Sequence, residues 1–250
     1  MNSSESFIQF MGYPIFKGEL LNLPKAEKIV INTINQYSFC IAEKDAEFKK
    51  ALQESDILLP DGIAIVAAVK LLTGKKIKKI AGADLHQYFL TELNKKSGKC
   101  FYLGSSENTL LKIKERVSVD FPNIVLETYS PLFKAQFSDG DNKQMIEAVN
   151  TFAPDVLFVG MTAPKQEKWA TENRDLLEAK YICSIGAVFD FYAGTVARPS
   201  QFWINIGLEW FIRLLKEPKR MGKRYIYYGP VFFKLILKEK IRHLMNRKAI

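Results

Sequence analysis

Five stretches of this chain bring acidic, amide, hydroxyl or glycine residues to the end of an apolar run, where a parallel sheet presents them to a ligand. Asp61 follows Ile57-Leu58-Leu59-Pro60 and is followed by Gly62 and a helical pattern. A carboxylate there either caps that helix or takes a proton from an attacking hydroxyl as a general base. Thr33 and Asn35 follow Ile29–Ile31. Such short side chains can orient a sugar or a nucleobase, and they are equally common as turn formers. Gly104-Ser105-Ser106 stands before a helical stretch; its amides can hold a phosphate, or it is a turn with a serine cap. Neither GxGxxG nor GxxxxGK[ST] is present in the sequence. Gly160 ends another apolar run, and Pro164-Lys165-Gln166-Glu167 crowd the first turn of the next helix. Their polar groups can face a ligand, although a solvated surface gives the same pattern. Asp190, after Ser184-Ile185-Gly186, either lines the same cleft or caps a turn.

The elements that must hold these residues follow from periodicity. Ile29–Ile31, Ile57–Leu59, Cys100–Leu103, Ile124–Leu126, Val156–Val159 and Tyr181–Ile185 read as buried strands. Helical patterns lie between them, near Asp45–Glu54, Gly62–Leu72, Asp84–Lys95, Glu107–Val119, Asn142–Phe152 and Pro164–Glu172. This alternation predicts an α/β fold, a Rossmann-like parallel sheet flanked by helices. Beyond the loop-rich Gly186–Ser200 the pattern is helical, over Phe202–Leu215 and then Tyr225–Met245, with Pro230 expected to start or kink a helix. The expected division is a catalytic domain over 1–197 and a helical basic appendage over 198–250.

Charge sharpens that division. The chain of 250 residues carries a formal charge of +9. Residues 1–200 hold 24 basic and 24 acidic side chains, whereas residues 201–250 hold 12 and 3. The whole excess therefore sits in the last fifty residues, which are also rich in Phe, Trp and Tyr. A disordered basic arm is poor in such residues. An amphipathic, aromatic and basic segment fits an anionic membrane surface, and it also fits nucleic acid. The neutral body and its strand-end motifs weigh against a nucleic-acid module.

Other classes are excluded on simpler grounds. No apolar run reaches the roughly 18 residues of a membrane-spanning helix, and Met1–Ser6 lacks the layout of a signal peptide. The three cysteines, Cys40, Cys100 and Cys183, are widely spaced in apolar runs, as reduced core thiols would be. With two histidines and no close-spaced ligand pair, no metal site is expected. His86 and His243 fall in helical stretches and read as packing or surface residues. The lack of a glycine fingerprint lowers a nicotinamide-dependent oxidoreductase.

Four blocks in this order resemble the WecG/TagA/CpsF family of bacterial glycosyltransferases. They are Thr33-x-Asn35; Leu59-Pro60-Asp61-Gly62 with Gly82-x-Asp84-Leu85; Gly160 with Pro164-Lys165-Gln166-Glu167; and Gly207-Leu208-Glu209-Trp210 with Arg213, Glu217-Pro218 and Arg220. The resemblance implies transfer of a sugar from a UDP-sugar to a lipid-linked acceptor, with inversion and without a metal or other cofactor. The implied donor sugar is N-acetylmannosamine or its uronic acid, with glucose, galactose or glucuronate in other members. The implied acceptor is undecaprenyl diphosphate bearing N-acetylglucosamine, used in cell-surface polysaccharide or teichoic acid synthesis. The implied location is cytoplasmic, peripheral on the inner face of the plasma membrane; a homo-oligomer stays open.

Carried onto this chain, the resemblance makes Asp61 the base and puts Thr33 beside the reacting groups. It makes Asn35, Gly62, Gly104, Gly160, Lys165, Gln166 and Asp190 substrate contacts. The departing UDP then needs cations, for which Lys79, Arg213, Arg220 and Arg224 are the candidates. Lys79 stands where many members carry arginine, so a bidentate contact is lost there while the charge is kept. Lys234, Lys238, Lys240, Arg242, Arg247 and Lys248 are left for the membrane surface.

Overall fold

The computed structural model describes residues 6–24 and 26–248, without the side chains of Asn205, Arg247 and Lys248. The polar start over residues 1–5 and the assignment of Arg247 and Lys248 to the membrane therefore fall outside what is described.

Phe7-Ile-Gln-Phe10 and Tyr13-Pro-Ile-Phe16 are separated by Met11-Gly12, whose φ angles are +50° and +86°. Two consecutive positive φ angles are the geometry of a tight hairpin. Accordingly β1 (Phe7–Phe10) and β2 (Tyr13–Phe16) pair antiparallel, an element that the strand–helix alternation does not announce. The remaining strands are β3 (Ile29–Ile34), β4 (Ile57–Pro60), β5 (Lys99–Gly104), β6 (Val125–Tyr129), β7 (Val156–Gly160) and β8 (Tyr181–Ser184). They form one eight-stranded sheet in the order β1-β2-β4-β3-β8-β7-β5-β6, parallel everywhere except at the β1–β2 hairpin. All six strands expected from the sequence are present, with small shifts at their ends.

The helices are α1 (Gln36–Ala42), α2 (Ala46–Gln53), α3 (Ile63–Thr73), α4 (Gly82–Lys95), α5 (Glu107–Asp120), α6 (Asp139–Phe152), α7 (Lys165–Glu172) and α8 (Val188–Tyr192) in the body. After them come α9 (Gln201–Asn205), α10 (Glu209–Lys216), α11 (Pro218–Gly222) and α12 (Tyr228–Lys248). Alternate residues of each strand feed opposite faces of the sheet. Ile29, Ile31, Ile57 and Leu59 meet Leu85 and Phe89 of α4, Ile113 of α5 and Phe189 of α8. On the other face Val30, Leu157 and Ile182 meet Val149 of α6 and Trp169 of α7. Further along that face Ile15, Ile34 and Leu58 meet Phe39 of α1, Val69 of α3 and, from the far end of the chain, Tyr228, Phe232 and Ile236 of α12. Each such side chain contributes about 1.5–3 kcal/mol on burial.

The tail departs from its expected layout in two ways. Phe202–Leu215 is not one helix: Gly207, at φ +76°, ends α9 in a left-handed turn, and α10 begins at Glu209. Pro230 does lie in the first turn of α12, but the chain ahead of it is already helical. Lys223–Tyr227 is wound as a π-helix, whose wider turn accommodates a residue that lacks an N–H and crowds the preceding carbonyls.

Candidate active site

Six parallel strands, β3 to β8, deliver their carboxyl ends to one cleft of about 1100 Å3. Its lining brings together Thr33, Asn35, Asp61, Gly104, Gly160, Lys165, Gln166, Asp190, Arg213, Arg220 and Arg224. Gly62 and Lys79, also expected as contacts, stand behind that lining. Gly62 is the N-terminal cap of α3 at φ +118°, a conformation that favours glycine. Lys79 Nζ is 3.4 Å from Glu209 Oε2, so its charge is spent on an ion pair rather than presented bare to a ligand.

Several alternatives left open by the sequence are decided by hydrogen bonds. Asp61 does not cap α3: Gly62 holds that position with no side-chain bond, and the Asp61 amide donates to the Ile34 carbonyl at 2.9 Å. Its carboxyl is thereby left to the cleft. Asn35 does serve as a cap, with Oδ1 accepting from the amides of Tyr37 and Ser38 at 3.0 Å each. What Asn35 has left for a ligand is its Nδ2 group. Ser106 caps α5 by accepting from the Thr109 amide at 3.3 Å. Gly104 and Gly160 are paired residues on β5 and β7; a Cβ on Gly104 would lie 2.5 Å from the Gly160 carbonyl oxygen, and one on Gly160 would strike the Phe189 ring. Packing alone therefore requires both glycines. Asp190 holds a turn, with the Thr195 hydroxyl donating to its carbonyl at 3.1 Å. Lys165 Nζ donates to the Lys134 carbonyl and lies 3.5 Å from the centre of the Phe137 ring, so it braces the loop after β6.

The Asp61 carboxyl is pushed up to about 6. Burial is the main cause; Glu209 adds to it, Lys79 and Arg213 oppose it, and Asp84 adds a smaller rise. A carboxylate so placed is ionised at neutral pH yet more basic than an exposed one. The roof of the cleft comes from the tail. Arg213 stacks over Phe191 with its guanidinium 5.1 Å from the ring centre, and its buried Nε has no hydrogen-bond partner among the described residues. Arg224 lies 4.8 Å from the centre of the Tyr37 ring. Arg220 Nη2 reaches Glu217 Oε2 at 2.5 Å. Burial, with Arg213 and Arg220 nearby, lowers Arg224 from its usual value. Convergent like charges in a partly desolvated place are costly unless an anion joins them.

Gln166 and Glu167 do not share a surface role. Both are buried. The Gln166 amide accepts at Oε1 from the Met161 N–H at 3.2 Å and donates from Nε2 to Glu167 Oε1 at 2.9 Å. Burial pushes the Glu167 carboxyl up to about 7, against the lowering effect of the Gln166 amide. Glu209 and Arg198, 3.8 Å apart, also line the cleft. Glu209 is quoted in the tail motif without a role, and its signal is that of an acid set in a predominantly basic segment. His86 lies elsewhere, in the core, with Nε2 2.6 Å from the Tyr102 hydroxyl and its pKa lowered to about 3 by burial. Cys40, Cys100 and Cys183 are buried and unpaired with one another. Among the described residues no group of three or more His, Cys, Asp or Glu could hold a metal ion.

A parallel α/β sheet whose strand ends bring a basic carboxylate beneath a cluster of arginines has the makings of an enzyme site for an anionic ligand. The chain belongs to the glycosyl transferase WecG/TagA/CpsF family, whose model matches residues 17–246, and is thus a glycosyltransferase. It is 31% identical over 214 residues to N-acetylglucosaminyldiphosphoundecaprenol N-acetyl-beta-D-mannosaminyltransferase of Bacillus subtilis (strain 168), covering 84% of this chain and 80% of the relative. A protein of the same name from Bacillus spizizenii (strain ATCC 23059 / NRRL B-14472 / W23) is 31% identical over 182 residues, covering 72% of this chain and 68% of that relative.

Proposed function

We propose that the protein transfers N-acetylmannosamine, or its uronic acid, from a UDP-sugar to an N-acetylglucosamine carried on undecaprenyl diphosphate. The observation that supports this most is the meeting of two groups in one cleft: the uncapped carboxyl of Asp61 and the convergent guanidinium groups of Arg213, Arg220 and Arg224. The acceptor hydroxyl attacks the anomeric carbon as Asp61 takes its proton. A new C–O bond forms on one face of the sugar while the bond to UDP breaks on the other, so the anomeric configuration inverts. The electron pair leaves with the diphosphate, whose growing charge the arginines offset. Thr33 and the Asn35 Nδ2 group border the same space and orient the sugars. No step in this scheme calls for a metal, so turnover is expected to survive chelation.

In this reading residues 198–250 form an appendage with two duties. Its α10–α11 part closes the cleft, and the outer side of α12 meets an anionic leaflet at the cytoplasmic face. Phe233, Leu237, Ile241, Leu244 and Met245 are exposed at helical spacing beside Lys234 and Lys238. Juxtamembrane lysines contribute about 1 kcal/mol each at such a surface. Lys240 and Arg242 also carry bonds within the protein, Lys240 donating to the Leu71 carbonyl at 2.8 Å and Arg242 to Glu239 at 2.6 Å. Among the described residues no helix is long and apolar enough to cross a membrane.

The deciding experiment mixes the protein with a short-chain polyprenyl-diphosphate N-acetylglucosamine acceptor and a panel of UDP-sugars, with and without EDTA, and reads the product by mass spectrometry. A mass gain of one N-acetylhexosamine or its uronic acid is expected. No product from any UDP-sugar would sink the reading. Flotation with anionic and neutral liposomes tests the second duty, and absence of binding to both would remove it.

A further inference from the structure

Gln166 is held at both ends of its amide. The Met161 N–H can only donate, so it selects the oxygen; the Glu167 carboxyl accepts at Oε1, so it selects the nitrogen. Together the two partners fix which way round the amide lies. Gly186, at φ +51°, lies against the same amide; a Cβ there would come within 3.2 Å of Gln166 Oε1 and 3.3 Å of Nε2. A primary amide carries two N–H groups, and Glu167 takes one. The second, on a residue lining the cleft, is left for a ligand.

Glu167 is an unusual choice for a residue that only fills space. It is 2% exposed, and its Oε2 is buried without a hydrogen-bond partner among the described residues. An apolar side chain of the same length would avoid that cost. The ground beneath it is polar as well. Among the described residues, three further buried oxygens have no partner: the hydroxyl of Thr171, one turn further on α7, the Asn32 side-chain carbonyl on β3 and the Ser184 hydroxyl on β8, strands over which α7 packs. An acid kept in such a place, at a cost to the fold, has to act through the group it does bond. That group is the Gln166 amide.

We infer that Glu167 is a positioning residue of this glycosyltransferase: its buried carboxyl locks the Gln166 amide so that one N–H is presented to the substrate bound in the cleft. It touches no reacting atom itself. The inference rests on the cleft being the transfer site proposed above.

The test is a double-mutant cycle on the full chain, with UDP-N-acetylmannosamine and the short-chain acceptor. Glu167→Met keeps the length and removes the acceptor; Glu167→Gln keeps an acceptor oxygen; Gln166→Ala removes the group being positioned. Glu167→Met is expected to lower kcat/KM about tenfold, the upper end for the loss of one ordinary hydrogen bond. It should move the same parameter, kcat or KM, that Gln166→Ala moves. Glu167→Gln should stay within about threefold of wild type. In the Gln166→Ala background Glu167→Met should cost nothing more, because positioning an absent amide has no value. Two results overturn the inference: losses that multiply in the double variant, as two independent sites give, or Glu167→Gln falling as far as Glu167→Met. Asp61→Asn run alongside separates the two readings. If it is inactive while Glu167→Met is fully active, the positioning role alone fails; if Asp61→Asn is fully active, the transfer site itself is misplaced.

Discussion

The floor and the roof of the cleft are made by different physics. The floor, with Asp61, Gly104, Gly160 and Gln166, is set by parallel strands whose residues are buried on both faces. Its side chains are fixed by short-range bonds, such as the Asp61 amide to the Ile34 carbonyl. The roof, with Arg213, Arg220 and Arg224, stands on short helices on which Phe202 and Leu215 are exposed and Trp210 and Phe211 partly so. Roof and floor are tied by the Lys79–Glu209 ion pair and by Arg213 over Phe191 and Arg224 over Tyr37. Met221 of α11 is fully buried, and α12 beyond it is embedded through Tyr228, Phe232 and Ile236. A rigid floor suits a base that must meet a hydroxyl at a fixed distance. In the reaction proposed above, a roof joined to the floor by few contacts suits groups that release a diphosphate after each turnover.

Four substitutions sharpen or break this contrast. Asp61→Asn should have the largest effect, lowering kcat by about 10²–10⁴-fold in the transfer assay. The same variant should melt no lower than wild type at pH 7.5. The fold raises the pKa of Asp61 from 3.8 to about 6, so the folded protein binds more protons than the unfolded chain between those values. Stability therefore falls as pH rises through that window, and removing the charge recovers it. A large drop in melting temperature would instead assign Asp61 to the fold. Phe232→Ala should cost about 3–5 kcal/mol in urea unfolding, since its ring is buried 5.5 Å from that of Phe39. A cost below about 1 kcal/mol would mean that α12 is as loosely held as the roof.

Arg213→Gln should weaken UDP binding by about tenfold in calorimetry while the melting temperature stays within a few degrees, because a charge-assisted contact is lost without a core contact. Unchanged UDP binding would move the diphosphate out from under the roof. Glu209→Gln should have the mildest effect and the most diagnostic direction. The activity of a general base rises with pH through its pKa, so the acid limb of kcat/KM is expected near pH 6. Without Glu209 the negative neighbour is gone and Lys79 and Arg198 are released, so the limb should move to lower pH. A move to higher pH would contradict the electrostatic link between roof and base.

The legibility of this molecule from its sequence follows the same line. Strands buried on both faces write long Val-Ile-Leu runs, so the runs at Ile29, Ile57, Val156 and Tyr181 and the residues just after them could be read directly. The β1–β2 hairpin was less legible because its strands are four residues each and its turn is Met-Gly, without the usual Asn or Asp. The break at Gly207 was hidden for a different reason: one glycine inside an apolar, aromatic pattern leaves the periodicity intact. Glu167 was hardest. Pro-Lys-Gln-Glu at a helix start reads as solvated or ligand-facing, and only tertiary packing reveals that the fourth residue points inward. Nor could sequence tell Asn35 from Asp61, since both are favourable caps; the chain used one as a cap and left the other to the cleft.

The embedding of α12 also bears on when this protein becomes an enzyme. Phe39 meets Phe232, and the Cys40 thiol lies 3.7 Å from the Tyr228 carbonyl oxygen, 188 positions along the chain. One part of the core thus waits for α12 to be made. Until α12 has emerged from the ribosome, the surface around Phe39 and Val69 lacks this cover and must be shielded by other means. Completion of the sheet is then not enough: this part of the core closes only once α12 has been made as well.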